Sequence, residues 1–393
     1  MTTAIFKPAL RLAAAGAFCA CALLAFATPA HAVEVTDILG RKVIVPDKVE
    51  HIVLGEGRLF YALALLDRDA PFRRVAGWQN DLRLMDPHTF DRYAAKYPEV
   101  KNVPLIGQAS EQSVSAERIL SLKPDVAVFS IAGHGPTEHS GVADLLEKAG
   151  VAVLFVDFRV KPIEDTPRSI ALLGKALGRE KEAQAYVSFY ASHLKRITDA
   201  VAPLPEAARP KVFVELLAGI WQAPGHTTGK GGMGDMVAAT GGRNVAAAAV
   251  PGAIGDVSVE YVLKADPDVY VATGNRSPGL QLGAGVNAAD AQASLVKVLA
   301  RPEFKELRAL REGRAHGLWH DFYNSPFNIV AIEALAKWTH PALFKTLDPA
   351  KTQDEVFNRF LTIGNDGQYL VDKAADAASA NAANAAGATS AAR

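Results

Sequence analysis

The chain has 393 residues, of which 49% are hydrophobic and 21% are charged. This balance supplies enough apolar side chains for a sizeable packed core and excludes global disorder. Lys and Arg number 42, and Asp and Glu also number 42, so the formal net charge is zero. A nucleic-acid-binding protein needs a concentrated positive field, and the charge balance therefore argues against that class. At about 150 residues per domain, the length predicts two or three domains.

The first 32 residues have the pattern of a cleaved export signal. They contain two basic residues, no acidic residue and an apolar run over 12–27, followed by a small-x-small sequence at 30–32. This run is too short to span a bilayer, so we expect cleavage after position 32 and a mature chain that begins at Val33. The two cysteines, Cys19 and Cys21, lie in the removed segment, so we expect no disulfide and no thiol chemistry in the mature protein.

Short apolar runs rich in β-branched residues predict seven strands in the mature chain. Helical patterns separate these runs, and this alternation is typical of parallel sheets with helices on their faces. We therefore predict an α/β fold with two lobes, each a mainly parallel sheet flanked by helices. The predicted strands are 52–54, 74–77, 126–130 and 151–157 in the first lobe, and 211–216, 269–273 and 315–319 in the second.

An internal repeat supports the two-lobe organisation. Residues 115–128 (SAERILSLKPDVAV) and 258–271 (SVEYVLKADPDVYV) align without a gap at one offset. In each copy a Ser precedes a short helix, a Pro-Asp pair ends that helix, and an apolar strand follows. This succession recurs in any α/β protein, but an ungapped match over the whole segment favours two similar lobes.

A long amphipathic helix is predicted between the lobes. From Ala183 to Val201, apolar residues recur at spacings of three and four, which gives one apolar stripe on a helix roughly 30 Å long. The Ala-rich C-terminal end has no periodic apolar face, and we expect a disordered tail there. The predicted organisation is a signal peptide (1–32), an N-terminal lobe (33–180), one rigid linking helix (181–202), a C-terminal lobe (203–372) and the tail (373–393).

The candidate ligand-binding residues are selected by a general rule for α/β folds, in which ligands bind beyond the carboxyl ends of parallel strands. The loops at these positions are rich in arginine and aromatic residues, a combination that suits a bulky, planar or anionic ligand. For any single residue a packing role is the stronger interpretation, but the set as a whole favours a binding cleft. The candidates are Arg58, Trp78, Arg83, His134, Arg159, Trp221, Arg276, Trp319, His320 and Tyr323.

The motifs of several common enzyme classes are absent from the sequence. The glycine-rich segment 225–231 is one residue short of a phosphate-binding loop and lacks the Ser or Thr that follows its Lys. There is neither a Gly-x-Ser-x-Gly elbow nor a His-Glu-x-x-His zinc helix. We therefore predict a non-enzymatic protein with no catalytic residue, no cofactor and no resident metal ion. A metal site formed by His134, His139, His226 and His320 stays open as an alternative.

Several motifs, in their order and spacing, resemble class III periplasmic substrate-binding proteins, which serve ABC importers of ferric siderophores, haem and cobalamin. The motifs are VTDxxGRxVxVP from position 35, VEHIV from 49, LKPDV from 122, IxxLGxxLG from 170, GGxNV from 241, PDV from 267 and AKWxHPxxF from 336. The resemblance covers about 35–360. It implies two α/β lobes joined by one rigid helix, a periplasmic location, a monomer, and delivery of the ligand to an inner-membrane ABC permease.

The resemblance also implies two residues that dock onto the permease. In this family the top of each lobe usually carries an acid that pairs with arginines of the permease. The matching positions here are Glu138 and Asp235. Asp at the second position departs from the commoner Glu, and an acid that complements a helix dipole is the alternative interpretation for Asp235.

The first loop departs from the family pattern in a way that bears on the ligand. Family members often have a small-residue Thr-Glu pattern where this chain has Glu56-Gly57-Arg58. An arginine aimed at the cleft fits an anionic ferric chelate better than neutral cobalamin, so we predict an iron chelate, foremost a ferric siderophore. A haem-binding or cobalamin-binding protein of the same class is the first alternative, and haem would use Tyr61, Tyr323 or a cleft histidine as its axial ligand. A metal-ion-binding protein or an enzyme that uses the cleft histidines is the second.

Overall fold

Two α/β lobes and one linking helix make up the computed structural model, which describes residues 32–109, 113–131, 141–221 and 223–373. The fold class predicted from the sequence is thereby confirmed. Three candidate site residues, His134, Glu138 and His139, lie outside the described residues. So do positions 1–31 of the expected signal segment and the C-terminal tail from position 374.

The N-terminal lobe contains an antiparallel hairpin and a five-stranded parallel sheet. Its strands are β1 (Ala32–Thr36), β2 (Lys42–Pro46), β3 (Ile52–Leu54), β4 (Val75–Gln79), β5 (Leu105–Gly107), β6 (Val126–Ser130) and β7 (Ala152–Val156). Its helices are α1 (Phe60–Leu66), α2 (Asp81–Met85), α3 (Pro87–Lys96), α4 (Ala116–Ser121), α5 (Val142–Lys148) and α6 (Pro162–Ala176). β1 pairs with β2, and the sheet order is β5-β4-β3-β6-β7. The strands β3, β6 and β7 are buried along their whole length because helices cover both faces of the sheet.

The C-terminal lobe has a mixed sheet whose centre is parallel. Its strands are β8 (Lys211–Glu215), β9 (His226–Thr228), β10 (Arg243–Asn244), β11 (Ile254–Asp256), β12 (Val269–Gly274), β13 (Gly283–Ala284), β14 (Ala315–Trp319), β15 (Gly367–Gln368) and β16 (Leu370–Asp372). The order is β11-β9-β8-β12-β14-β16, where β8, β12 and β14 are parallel and β9, β11 and β16 are antiparallel to their neighbours. All seven predicted strands are present, whereas the antiparallel strands and the two short parallel strands β5 and β10 were not predicted.

One 22-residue helix, α7 (Glu180–Val201), joins the lobes. Most of the predicted apolar stripe is buried, and Tyr186 and Phe189 extend the buried face. The hydroxyl of Tyr190 donates to the carbonyl of Pro162 in the N-terminal lobe at 3.3 Å, and that of Tyr186 donates to the carbonyl of Pro326 in the C-terminal lobe at 2.7 Å. The helix is thus anchored in both lobes. No helix in the described ranges is both long and apolar enough to cross a membrane.

The remaining helices cover the C-terminal sheet. They are α8 (Met233–Ala239), α9 (Val259–Ala265), α10 (Ala288–Leu299), α11 (Arg308–Arg311), α12 (Asn328–Thr339) and α13 (Pro349–Phe360). The helix α12 is buried almost throughout and packs against α7, α8 and α13. It therefore forms the centre of the layer that the linking helix contacts.

The sequence repeat corresponds to the same local structure in both lobes. Ser115 and Ser258 cap α4 and α9, each accepting a hydrogen bond at 3.2 Å from the backbone N–H three residues later. Asp125 and Asp268 each accept a backbone N–H at the entrance of the neighbouring strand, β3 and β8 respectively, at 2.8 and 2.6 Å. The repeat therefore corresponds to the segment in which hydrogen bonds cap the helix and connect the following turn to the neighbouring strand.

A second group of contacts joins the lobes away from the helix. On α3 and just after it, Lys96 donates to the carbonyl of Thr362 at 2.6 Å and the Tyr97 hydroxyl donates to Oγ1 of the same residue at 3.1 Å. Arg92 donates to the carbonyl of Gly364 at 2.9 Å. These contacts limit how far the lobes can separate without breaking hydrogen bonds.

Candidate ligand-binding cleft

The cleft is formed by loops at the carboxyl ends of the parallel strands of both lobes. Arg58 lies in a 3-10 turn directly after β3, and Arg159 follows β7. Arg276 follows β12, and Asp321 lies in the 3-10 turn after β14. Because carboxyl ends of parallel strands share one edge of a sheet, two facing sheets bring these side chains together.

Arg58 is the centre of a buried charge cluster that crosses between the lobes. Its Nε donates to Oδ2 of Asp81 at 2.7 Å, and its other nitrogens lie 3.6 Å from carboxylate oxygens of Glu56 and Asp321. The Arg58 side chain is 12% exposed and that of Asp321 is fully buried. Burial acts to lower the pKa of Arg58, but Asp81, Glu56 and Asp321 outweigh it, and the pKa rises above its ordinary value.

The tight turn that places Arg58 depends on Gly57. The Gly57 backbone N–H donates to a carboxylate oxygen of Asp81. A Cβ at Gly57 would lie 2.5 Å from the carbonyl oxygen of Gln79 and 2.9 Å from the Asp81 carboxylate. Only glycine fits this approach, so the Glu-Gly-Arg sequence at 56–58 sets the position of the guanidinium.

Arg159 forms the second ion pair of the cleft. Its Nη2 donates to Oε1 of Glu56 at 2.8 Å and to Oγ of Ser130 at 3.4 Å. Burial acts to lower the pKa of Arg159, but the charge of Glu56 and the nearby Tyr323 raise it overall. Burial acts to raise the pKa of Glu56, but Arg159 and Arg58 outweigh it and keep the carboxyl ionised.

Arg276 has neutral partners. Its Nη1 donates to Oδ1 of Asn275 at 2.9 Å and lies 3.9 Å from Sδ of Met85, at the end of α2 in the other lobe. The amide of Asn275 in turn donates to Oδ2 of Asp321 at 3.0 Å. Arg276 is therefore linked to the charge cluster through an amide and contacts both lobes.

A tyrosine–aspartate pair lies beside this cluster. The hydroxyl of Tyr61 donates to Oδ2 of Asp86 at 2.6 Å, and both residues are buried. Burial and then the charge of Asp321 raise the pKa of Asp86 to about 6, while burial and Asp86 raise the pKa of Tyr61 well above its ordinary value. The ring of Tyr61 contacts Trp319 edge-on, with centroids 6.3 Å apart.

Two of the predicted histidines differ in their surroundings. His320 is buried, its Nδ1 is 2.9 Å from Oγ1 of Thr273, and burial lowers its pKa to about 4, so the ring is neutral at neutral pH. His226 lies in β9, pairs with Asp256 at 3.0 Å and contacts the ring of Trp221, which is 52% exposed. The structure therefore places His320 inside the cleft cluster and His226 near an exposed tryptophan.

The structure does not bring every candidate to this cluster. Trp78 lies in the core of the N-terminal lobe, where its ring contacts Phe60, Phe72 and Phe90. Arg83 is exposed on α2, with its guanidinium 4.3 Å above the ring of Phe90. The candidates that it does bring together are Arg58, Tyr61, Arg159, Arg276, Trp319, His320 and Tyr323.

Sequence reasoning missed the carboxylates of the cleft. Glu56, Asp81, Asp86 and Asp321 all contact or surround the predicted residues. A signal was present for two of them, since Glu56 is two residues before Arg58 and Asp321 directly follows a predicted site residue. The prediction of an anionic ligand rested on Arg58 aiming positive charge at the cleft, but three carboxylates already surround its guanidinium.

Asp235, the described member of the predicted docking pair, is in the first turn of α8. Its Oδ1 accepts the backbone N–H of Gly231 at 3.0 Å, and the side chain is partly exposed. This hydrogen bond closes the glycine-rich turn that precedes the helix. The contact is compatible with either interpretation of Asp235, and its docking role stays a prediction.

Two α/β lobes, one helical connection and a polar cleft at the carboxyl ends of both sheets define a solute-binding protein. The sequence model of the periplasmic binding protein family matches residues 70–318, and the chain belongs to this family. The family binds its substrates without transforming them, so the protein is not an enzyme. Its partners are accordingly a small-molecule ligand and the membrane permease of an ABC transporter.

Comparison with individual proteins agrees with this assignment. The chain is 28% identical over 256 residues to the uncharacterized ABC transporter substrate-binding lipoprotein YvrC of Bacillus subtilis, covering 63% of this chain and 72% of that protein. The crystal structure of the TroA-like periplasmic binding protein FepB from Veillonella parvula aligns with a TM-score of 0.79 at 24% identity, over 87% of this chain and all of the other. Molybdate-bound MolA from Haemophilus influenzae aligns with a TM-score of 0.65 at 19% identity, over 86% of this chain and all of the other. At these identities the structural likenesses show the fold.

Proposed function

We propose that the protein captures an iron chelate, foremost a ferric siderophore, between its lobes and delivers it to an inner-membrane ABC permease. The observation that carries this proposal is the contact between Arg58 and Asp321, which joins the two lobes at 3.6 Å inside the cleft. A ligand held there contacts both lobes. The class III sequence motifs support a metal chelate as that ligand.

The chemistry of the cleft walls suits a chelate with an organic body. Tyr61, Trp319 and Tyr323 form the aromatic base of the cleft but are each at most 5% exposed, whereas Trp221, which is 52% exposed, offers apolar ring surface to a flat or bulky ligand. Arg276, Asn275 and the neighbouring carboxylates supply directed polar contacts. A ferric siderophore presents both kinds of surface, an apolar backbone and polar oxygens around the iron.

Haem is the second candidate, and one observation favours it. His320 is neutral at neutral pH because burial lowers its pKa to about 4, and a neutral imidazole is a competent iron ligand. Tyr61 is less suited, since burial and Asp86 raise its pKa and oppose the phenolate that would bind iron. A haem ligand would therefore use His320 in preference to Tyr61.

The metal-ion alternative has little support in the described residues. In the described ranges, no three His, Cys, Asp or Glu side chains are placed to hold a metal ion. His226 and His320 have separate partners, Asp256 and Thr273. A bare-ion site would have to recruit His134 and His139, which lie outside those ranges.

The visible spectrum of the purified protein separates the candidates. A ferric siderophore gives a broad charge-transfer band and haem a sharp Soret band. Ferric chelates should quench tryptophan fluorescence and stabilise the protein by about 2.7 kcal/mol at a hundredfold excess over the dissociation constant. The matched control is the iron-free chelator at the same concentration. Stabilisation by haem or Ni²⁺ alone, with no response to any ferric chelate, contradicts the proposal.

A further inference from the structure

The three arginines that meet in the cleft differ in the groups to which their N–H donors already form hydrogen bonds. Arg58 is surrounded by three carboxylates, and Arg159 donates to one carboxylate and one hydroxyl. Arg276 donates to the neutral amide oxygen of Asn275 and faces the thioether of Met85. Within the part of the chain that the structure describes, no carboxylate forms an ion pair with Arg276.

We propose that Arg276 is the guanidinium that binds an acidic oxygen of the ligand, and that the cleft selects ligands that carry at most one negative charge. The inference rests on the proposed function, because it names the charge class of the ligand in the same cleft. On this inference Arg58 and Arg159 have a structural role, because they hold the carboxylates and loops of the cleft in place.

The hydrogen-bonding capacity of Arg276 supports this assignment. A guanidinium has five N–H donors in a planar fork, and a thioether sulfur is a weak acceptor. A ligand carboxylate oxygen that replaces Met85 at the guanidinium gains a charge-assisted, directed hydrogen bond. Since Arg276 belongs to the C-terminal lobe and Met85 to the N-terminal lobe, an oxygen at this position lies at the junction of the two lobes.

The limit on negative charge follows from the carboxylates of the cleft. Glu56, Asp81, Asp86 and Asp321 are all buried or nearly so, and only two guanidinium groups pair with them. Charges in a buried site interact more strongly than in water, because less solvent screens them. A second or third negative charge on the ligand therefore meets repulsion or has to displace an existing ion pair.

A panel of ferric chelates of graded charge tests the inference by fluorescence titration. The probes are an uncharged ferric tris-hydroxamate, the same chelate with one carboxylate, and a triply anionic ferric tris-catecholate. We expect the wild type to bind the first two and to bind the third more weakly. Arg276→Gln should weaken the singly charged chelate by about tenfold to a hundredfold, the scale of a hydrogen bond to a charged group, and barely affect the uncharged one. Arg311→Gln is the matched control, because Arg311 is an exposed arginine at the end of α11.

The possible outcomes separate this inference from the proposed function. If the triply anionic chelate binds as tightly as the uncharged one, or if Arg276→Gln weakens both hydroxamate chelates equally or neither, the inference is wrong and the proposed function stands. If only haem binds, the siderophore assignment is wrong and haem, the second candidate, replaces it. The inference is then decided by comparing ferric haem, net charge minus one, with its dimethyl ester in the wild type and in Arg276→Gln. If no probe binds the folded protein, both are wrong.

Discussion

Replacing Arg58 with Met tests the charge cluster that joins the lobes. Methionine keeps the length and apolar stem of the side chain but removes the cation. Asp81, at 2.7 Å, and Glu56 and Asp321, at 3.6 Å, then lose their central partner. Glu56 keeps Arg159, whereas Asp321 keeps the neutral amides of Asn275 and Asn324 and no cation among the described residues.

The expected cost follows from the burial of these groups. Removing one partner of a buried ion pair costs about 3–5 kcal/mol, because the remaining charge stays desolvated. Arg58 is 12% exposed and its partners are 16% exposed or less, so solvent screens the cluster weakly. We therefore expect Arg58→Met to lower the free energy of unfolding by about 3–5 kcal/mol at neutral pH.

The pH dependence distinguishes lost charge pairing from lost packing. Arg159 and Arg58 hold the pKa of Glu56 below its ordinary value against burial, whereas burial raises the pKa of Asp81 despite Arg58. Without Arg58 these carboxyl groups take up protons more readily, and a protonated carboxyl needs no counter-charge. The deficit of the variant should therefore shrink as the pH falls from neutral to mildly acidic.

Urea unfolding of the wild type, Arg58→Met and the control Arg311→Met at two pH values measures this effect. Arg311 is 59% exposed, so its replacement should change the unfolding free energy by no more than about 0.5 kcal/mol. A deficit in Arg58→Met that equals the control, or one that is the same at both pH values, would refute the reasoning.

Three further predictions concern the cleft, export and docking. Burial raises the pKa of Asp86 to about 6, so its contribution to stability is present in mild acid and lost as the pH rises through that value. Asp86→Asn, which keeps an acceptor for Tyr61, should thus gain stability over the wild type at neutral pH but not in acid; unfolding curves with no such crossover contradict this. Mass spectrometry of periplasmic protein should show an unlipidated N-terminus at Val33, and an acylated cysteine would overturn it. Reversing Glu138 and Asp235 together should abolish uptake while ligand affinity is kept, although one reversal alone changes little because exposed ion pairs are weak; normal transport by the double variant excludes the docking role.

The central strands were predictable because burial leaves a local signal. Buried parallel strands favour nearly continuous apolar runs, and the predicted segments Ile52–Leu54, Val126–Ser130 and Ala315–Trp319 match the observed strands residue for residue, although His and Gly interrupt the last one. The linking helix was equally predictable, because its apolar residues recur at helical spacing. In each case the feature that stabilises the element is contained in consecutive residues.

The short antiparallel strands carry no such signal. The segment His226–Thr228 contains no apolar residue. It forms a strand because its backbone pairs with β8 and β11. Leu370–Asp372 pairs with β14, more than fifty residues earlier in the chain. Their hydrogen bonds are formed by the backbone with distant partners, so local composition does not reveal them.

The position of the cleft was predictable from the sequence, but the pairing of its charged residues was not. The rule for carboxyl ends of strands located Arg58, Arg159 and Arg276, whose loops the fold brings together. It failed for Trp78, because that side chain points from the end of β4 into the aromatic core. The rule also did not predict which charged residues form ion pairs, because Arg58 and Asp321 are distant in the chain and meet only when both lobes are folded.

The pairing of the cleft arginines changes what determines affinity. The linking helix and the contacts of Arg92, Lys96 and Tyr97 hold the lobes near one arrangement, so a ligand gains little by moving them. Its binding free energy is then the difference between the contacts it forms and those it breaks. A ligand that displaces Asp321 from Arg58 must replace an existing ion pair, whereas one that uses Arg276 adds a contact where only a thioether was present. On the proposed role of Arg276, we therefore expect the arginine with the weakest existing partners to contribute most to binding, although Arg58 is the more buried of the two.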